Sequence, residues 1–315
     1  MSALPTRTDA GAPPVRLGDR FVQAGLLTAE QVEQTIALQH AEQLRFGEAA
    51  IRLGFLTEAQ LRSVLSEQFN YATANATFPN LSPSLRIAHA PFGHEAESIR
   101  QIRSELSIRM TGRPRVVLAV VSPGRGEGKS YIATSLAIAF SQAGQRTLLV
   151  NANLRASGQH DLLGVGHATA SGLSSILARH TAPHSGQRVP GFPMLHALGP
   201  GPQPPNPIEI LREPALKVLI DGWSEDFDVI ILDTPAANTS SDAQAIARQA
   251  GACLMVARQD VTRLARLRLA QELMRTSGAE ALGLVYNVFD PRSMRRGLRH
   301  RIGRFVRRLL PASDD

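Results

Sequence analysis

Val116-Val117-Leu118-Ala119-Val120-Val121 runs straight into Ser122-Pro123-Gly124-Arg125-Gly126-Glu127-Gly128-Lys129-Ser130. Six apolar residues in succession predict a strand buried on both faces, as in a parallel sheet. The three glycines end that pattern. Beyond them Ala133, Leu136, Ala137 and Phe140 recur at helical spacing.

Strand, glycine loop and helix in that order make a P-loop. Glycines let backbone N–H groups close around phosphate oxygens, and the helix N-terminus adds positive potential. On this reading Gly124, Gly126, Glu127, Gly128, Lys129, Ser130 and Tyr131 form the nucleotide cradle. Lys129 reaches the β- and γ-phosphates and Ser130 ligates Mg²⁺. The chain's 34 basic residues include only two lysines, Lys129 and Lys217, which makes a lysine in Gly-Lys-Ser a pointed choice. Pro123 stands where the first glycine of the motif is usual.

Working outward, further apolar runs at Thr147–Val150, Val229–Leu232, Cys253–Ala257 and Leu282–Val288 alternate with helical segments. They predict an α/β fold with an open, mostly parallel sheet. Leu232-Asp233-Thr234-Pro235 reads as a Walker B strand end. Asp233 would emerge beside the Mg²⁺ at the carboxyl edge of the sheet, where ligands of such folds bind. Cys253 reads as an inert core thiol, and Tyr286 as buried in the last strand. A single cysteine cannot form an internal disulfide and suits a reducing compartment.

The 315 residues allow one large domain and a small one, and 43% hydrophobic content suits a real core. No apolar run reaches bilayer-spanning length, and Met1–Pro14 lacks the regions of a signal peptide, so a cytoplasmic protein is expected. The net charge of +7 is concentrated in residues 291–315, which hold eight arginines against Asp314 and Asp315. There Met294, Leu298, Ile302, Phe305 and Leu309 recur every three or four residues among the arginines. That pattern predicts a basic amphipathic helix suited to an anionic membrane surface. The alternative is a terminal helix packed on its own domain. Nucleic acid ranks lower, because no aromatic-rich face accompanies the charge. His180 and His184 have ligand-like spacing, but Pro183 and their small neighbours point to a solvated loop.

The N-terminal part repeats at a period of 29 residues. Arg16-Leu17-Gly18 returns as Arg45-Phe46-Gly47, and Gly25-Leu26-Leu27-Thr28 as Gly54-Phe55-Leu56-Thr57. Val32, Ile36 and Gln39 return as Leu61, Leu65 and Gln68. Thr28 and Thr57 read as N-caps, so each copy is a short helix, a glycine turn and a second helix. The tandem copies resemble the N-terminal domain of type II secretion and type IV pilus assembly ATPases. That resemblance implies cyclic di-GMP binding through Arg16, Gly18, Gln39, Arg45, Gly47 and Gln68. Phe46 replaces a usual leucine, as do Phe21 and Ala50 at a second position. The other reading is a helical interaction module without the ligand.

The P-loop, a second strand ending Asn151-Ala152-Asn153-Leu154-Arg155, the run Pro204-Pro205-Asn206-Pro207-Ile208-Glu209-Ile210-Leu211, the Walker B strand and Asn287 together resemble bacterial tyrosine kinases of polysaccharide synthesis. More narrowly, the chain is similar to the exopolysaccharide chain-length-determinant type. The resemblance implies ATP and Mg²⁺ as cofactors, with Lys129, Asp233, Asn151 and Asn153 at the catalytic positions and Asn287 near the adenine. It implies Ser130 and Asp233 as metal ligands and Glu97, Arg100 and Arg103 as an oligomerisation motif. A membrane polysaccharide copolymerase is the implied partner, at the inner membrane. Membrane-cycling partition ATPases share a similar core, but Gly124 and Arg125 stand where those carry a signature lysine.

Two departures argue for weakened chemistry. Asn151 and Asn153 replace the family's aspartates; an amide keeps a hydrogen bond but cannot accept a proton. The tyrosines are Tyr71, Tyr131 and Tyr286, so the tail carries no tyrosine cluster. The expected layout is a disordered 1–13, a helical repeat domain at 14–71 and a linker at 72–94. A kinase-like domain follows at 95–290, and a basic tail at 291–315.

Overall fold

The computed structural model describes residues 17–57, 60, 61, 64, 80–155, 162–165, 171–211 and 214–288. Arg16, Gln68, Tyr71 and the basic tail lie outside the described residues. The chain divides into two units, Met1–Thr73 and Ala74–Asp315.

In the first unit α1 (Leu17–Gln23), α2 (Ala29–Glu42) and α3 (Phe46–Arg52) pack around Phe21, Leu27, Ala50, Leu56 and Val64. Thr28 caps α2 in a capping box: its hydroxyl accepts the Gln31 N–H at 3.2 Å, and Gln31 returns a bond to the Thr28 N–H at 2.9 Å. The second copy repeats this between Thr57 and Gln60. Phe21 and Phe46 stack at 6.0 Å between ring centroids. Phe21 and Ala50 are core residues and Phe46 packs against them half-buried, so the departures from leucine keep the interior filled.

The second unit opens with α4 (Arg86–His89) and α5 (His94–Arg109). Then follow β1 (Val116–Val121), α6 (Lys129–Gln142), β2 (Thr147–Asn151), α7 (Leu173–Leu177), β3 (Gln187–Val189) and β4 (Phe192–Leu198). The unit continues with α8 (Pro207–Ile210), α9 (Ala215–Asp226), β5 (Val229–Asp233) and α10 (Asp242–Ala250). It closes with β6 (Ala252–Arg258), α11 (Leu264–Ser277) and β7 (Glu280–Asn287).

Among the described residues seven strands form one sheet in the order β3-β4-β2-β5-β1-β6-β7, parallel except for the edge pair β3–β4. Ala119 and Val121 of β1 pack with residues of α9, α10 and α11, while α6 lies against β1, β2, β4 and β5. Helices therefore cover both faces. This explains why the central strands read as unbroken apolar runs. The carboxyl ends of β1, β2, β5, β6 and β7 meet at one edge, which is where the site lies.

Two expectations need correction. Part of the stretch taken as a linker, 72–94, is packed structure: α4 lies within it, Leu81, Leu85, Ile87 and Ala88 are buried, and the Ser82 N–H donates to the Leu162 carbonyl at 2.9 Å. Its polar and proline residues hid four apolar anchors. Tyr286 is 62% exposed, not buried. β7 is an edge strand, and Leu284 and Tyr286 project beyond the cover of the described residues.

Candidate functional site

The loop between β1 and α6 turns on Gly126 and Gly128, with φ of +74° and +96°. At Gly128 a Cβ would also lie 2.2 Å from Asn287 Nδ2, so both backbone and space demand glycine. Among the described residues no hydrogen bond reaches the N–H groups of Gly126, Glu127 or Gly128. Such a row of unpaired amides ahead of a helix of 14 residues has the geometry that suits an anion.

Lys129 is 7% exposed at the start of α6, and Asp233, also 7% exposed, ends β5. Burial pushes the Asp233 carboxyl up to about 6, opposed by Lys129 and by a hydrogen bond with Ser130. Its Oδ1 is buried with no hydrogen-bond partner. A buried carboxylate oxygen left bare beside a serine hydroxyl fits a hydrated divalent cation, which would relieve the desolvation cost. Thr234 fixes the strand end by donating to the Val120 carbonyl at 2.8 Å. Tyr131 is half-buried on α6, its hydroxyl pushed up chiefly by burial and next by Glu95.

Asn151 ends β2 as the register partner of Asp233. Its Oδ1 accepts the Asn153 N–H at 3.1 Å, which closes a tight turn. Arg155, which completes that segment, makes a two-pronged ion pair with Asp242 at the head of α10, at 2.6 and 2.9 Å. Asp242 is fully buried, so the pair pins the Asn151–Arg155 turn to a helix.

On the opposite flank β6 and β7 meet the P-loop. Arg258 donates to the Gly126 carbonyl at 2.9 Å, and Asn287 Nδ2 to the Glu127 carbonyl at 3.0 Å. Thr262 donates to the Glu127 carboxylate at 2.6 Å. Sequence reasoning singled out Asn287 and Glu127 but missed Arg258, Thr262 and Asp242. Arg258 and Thr262 could have been sought, because they follow the apolar run of β6 at the sheet's carboxyl edge.

No protein-family model matches the chain. Comparison with known proteins nonetheless finds relatives of the chain. Tyrosine-protein kinase Wzc of Salmonella typhimurium is 30% identical over 191 residues, 61% of this chain and 26% of that protein. Tyrosine-protein kinase Etk of Escherichia coli is 26% identical over 236 residues, 73% of this chain and 31% of that protein. The solved kinase domain of Escherichia coli ETK matches with a TM-score of 0.62 at 25% identity, covering 67% of this chain and 82% of that domain. The chimeric protein CapA2B2 gives 0.60 at 28% identity, covering 71% and 97%. The chain is similar to bacterial tyrosine-protein kinases. It spans about a quarter to a third of the length of these two proteins, and the ETK structure it matches is that protein's kinase domain.

In this kinase-like unit Glu97, Arg100 and Arg103 lie on α5. Arg100 pairs with Glu97 and donates to the Pro91 carbonyl at 2.6 Å, and Arg103 donates to the Ala139 carbonyl of α6 at 3.0 Å. All three are thus engaged within the chain. His184 lies in the loop before β3, bonded through Nε2 to the Ser171 hydroxyl at 2.7 Å and through Nδ1 to the Gly186 N–H at 3.0 Å.

In the first unit, packing explains two of the motif residues. A Cβ on Gly18 would lie 2.7 Å from Val32 Cγ1, and one on Gly47 2.6 Å from Leu61 Cδ2. Arg45 occupies the N-cap position of α3, where its N–H donates to Glu48 at 3.1 Å, and Gln39 lies on α2.

Proposed function

We propose that the kinase-like unit binds Mg-ATP at the P-loop and transfers phosphate feebly, if at all. The chain then serves exopolysaccharide chain-length control and export as a nucleotide-gated subunit. The observation that carries this reading is the pairing of a bare amide cradle with the buried, unpartnered Asp233 oxygen.

The Gly126–Ser130 backbone and Lys129 suit the phosphates, while Ser130 and Asp233 suit the metal. When bound, Mg²⁺ would supply charge neutralisation for the phosphates. The chain's own contribution is to orient the phosphates and to offer the metal the buried Asp233 carboxylate. Asn151 and Asn153 can orient a water or hydroxyl by hydrogen bonding but cannot take its proton. General-base assistance is worth typically 10²–10⁴-fold. Asp233 is the sole carboxyl on these two strand ends. The similarity to tyrosine-protein kinases supports the enzymatic form of this reading; the two asparagines favour the regulatory one.

Oligomerisation through Glu97, Arg100 and Arg103 and a membrane copolymerase partner belong to the same proposal, as does inner-membrane contact through the basic tail. No helix among the described residues is long and apolar enough to cross a membrane. Cyclic di-GMP is the proposed ligand of the repeat unit on resemblance alone, since packing already accounts for Gly18 and Gly47. Titration with cyclic di-GMP decides it, and a flat titration leaves an interaction module.

Calorimetric titration of the full chain with Mg-ADP tests the core proposal. Saturable binding that Lys129→Ala weakens at least about 100-fold supports it. No heat, or equal affinity in the two proteins, removes it.

A further inference from the structure

The P-loop is tied to the turn after β6 through a carboxylate that no phosphate contact requires. Glu127 is 3% exposed. Its Oε2 accepts the Gly124 N–H at 2.7 Å, and its Oε1 accepts the Thr262 hydroxyl at 2.6 Å. The hydroxyl has one proton to give, and it goes to Glu127. As an acceptor it receives the Arg258 N–H at 2.8 Å, while the Thr262 N–H returns to the Arg258 carbonyl at 2.9 Å. That closed turn passes through Asp260, a non-glycine residue at a φ of +58°. Arg258 and Asn287, register partners on β6 and β7, hold the carbonyls of Gly126 and Glu127.

These bonds orient the cradle. With the carbonyls of Gly126 and Glu127 drawn toward Arg258 and Asn287, and the Glu127 side chain turned to Thr262, the amides on either side are left unpaired. A buried carboxylate accepting two hydrogen bonds holds such a geometry firmly, because charge-assisted bonds are the stronger ones. Losing one leaves the charge under-satisfied and the loop free to relax.

We propose that Glu127 and Thr262 form a latch that keeps the P-loop in its nucleotide-holding shape, so that the turn at 258–262 sets how long a nucleotide stays. Both act as positioning residues. The inference rests on the nucleotide-binding reading above, and whatever moves the turn should alter nucleotide release.

The test is stopped-flow displacement of a fluorescent Mg-ADP from the full chain, with melting of the nucleotide-free protein recorded alongside. Thr262→Val, which keeps the shape and removes the hydroxyl, should release nucleotide about 10-fold faster or more. Thr262→Ser, which restores the hydroxyl, should return the rate to within about 2-fold of wild type. Glu127→Gln should release faster, with the association rate little changed. Wild-type release from Thr262→Val overturns the latch while nucleotide binding stands. Equal acceleration in Thr262→Val and Thr262→Ser also overturns it, because packing rather than the hydroxyl would then be responsible. Absence of Mg-ADP binding by the wild type removes the nucleotide reading and the latch together.

Discussion

Asn151 and Asp233 are register partners at the carboxyl ends of neighbouring parallel strands, β2 and β5. An uncharged amide therefore ends the strand beside a buried carboxyl. Had Asn151 been an aspartate, two carboxyls would share a poorly solvated edge and each would raise the other's affinity for protons. The asparagine spares the nucleotide-free protein that repulsion, at the expense of a proton acceptor.

The raised Asp233 pKa gives a signed pH prediction. Its value of about 6 lies above the ordinary carboxyl value of 3.8, so between these the folded chain holds a proton that the unfolded chain has released. Nucleotide-free stability therefore falls as pH rises from about 4 to about 6, then levels. Asp233→Asn should raise the melting temperature of the nucleotide-free protein at pH 8, by a free energy on the order of 1–3 kcal/mol. Mg²⁺ binding needs the carboxylate, so wild-type Mg-ADP affinity should climb toward pH 6 and flatten above it. Calorimetry across pH 5–8 and thermal melts measure both.

Arg155 and Asp242 make an asymmetric pair, the arginine side chain 38% exposed and the aspartate fully buried. Arg155→Ala strands a buried charge, whereas Asp242→Asn leaves a cation that water can reach. Arg155→Ala should therefore be the more destabilising, costing roughly 1–3 kcal/mol after allowance for its exposure. Urea melts of the two variants check the ranking.

The repeat unit offers a packing test. Gly18→Ala presses a methyl group onto the short, branched Val32, and Gly47→Ala onto the more adaptable tip of Leu61. Gly18→Ala should cost more, about 1–3 kcal/mol, and Val32→Ala should relieve part of it. Hydrogen exchange of the Leu17–Glu42 amides in the full chain reads this out.

The sheet was legible because its central strands are buried on both sides and their apolar runs are unbroken. The P-loop motif was legible because Gly126 and Gly128 stand at positive φ between an apolar strand and a helix, with Lys129 and Ser130 directly after them. β3 and β4 escaped notice: Gln187–Val189 is three residues long, and Phe192–Leu198 is interrupted by Pro193 and His196. Only the Pro190-Gly191 turn hinted at a hairpin. Asp242, Arg258 and Thr262 were missed because their partners lie 87, 132 and 135 residues away along the chain, although the place of Arg258 and Thr262 at the end of β6 was a cue. Tyr286 misled because an edge strand and a central one share the same composition.

The most direct test of weakened chemistry at an intact site is incubation with radiolabelled Mg-ATP of the purified wild type and of an Asn151→Asp/Asn153→Asp variant. The wild type should bind nucleotide yet form little phosphotyrosine, while the double variant forms about 100-fold more or better. Robust phosphotyrosine in the wild type, equal to that of the variant, would contradict the account and make the chain an ordinary kinase.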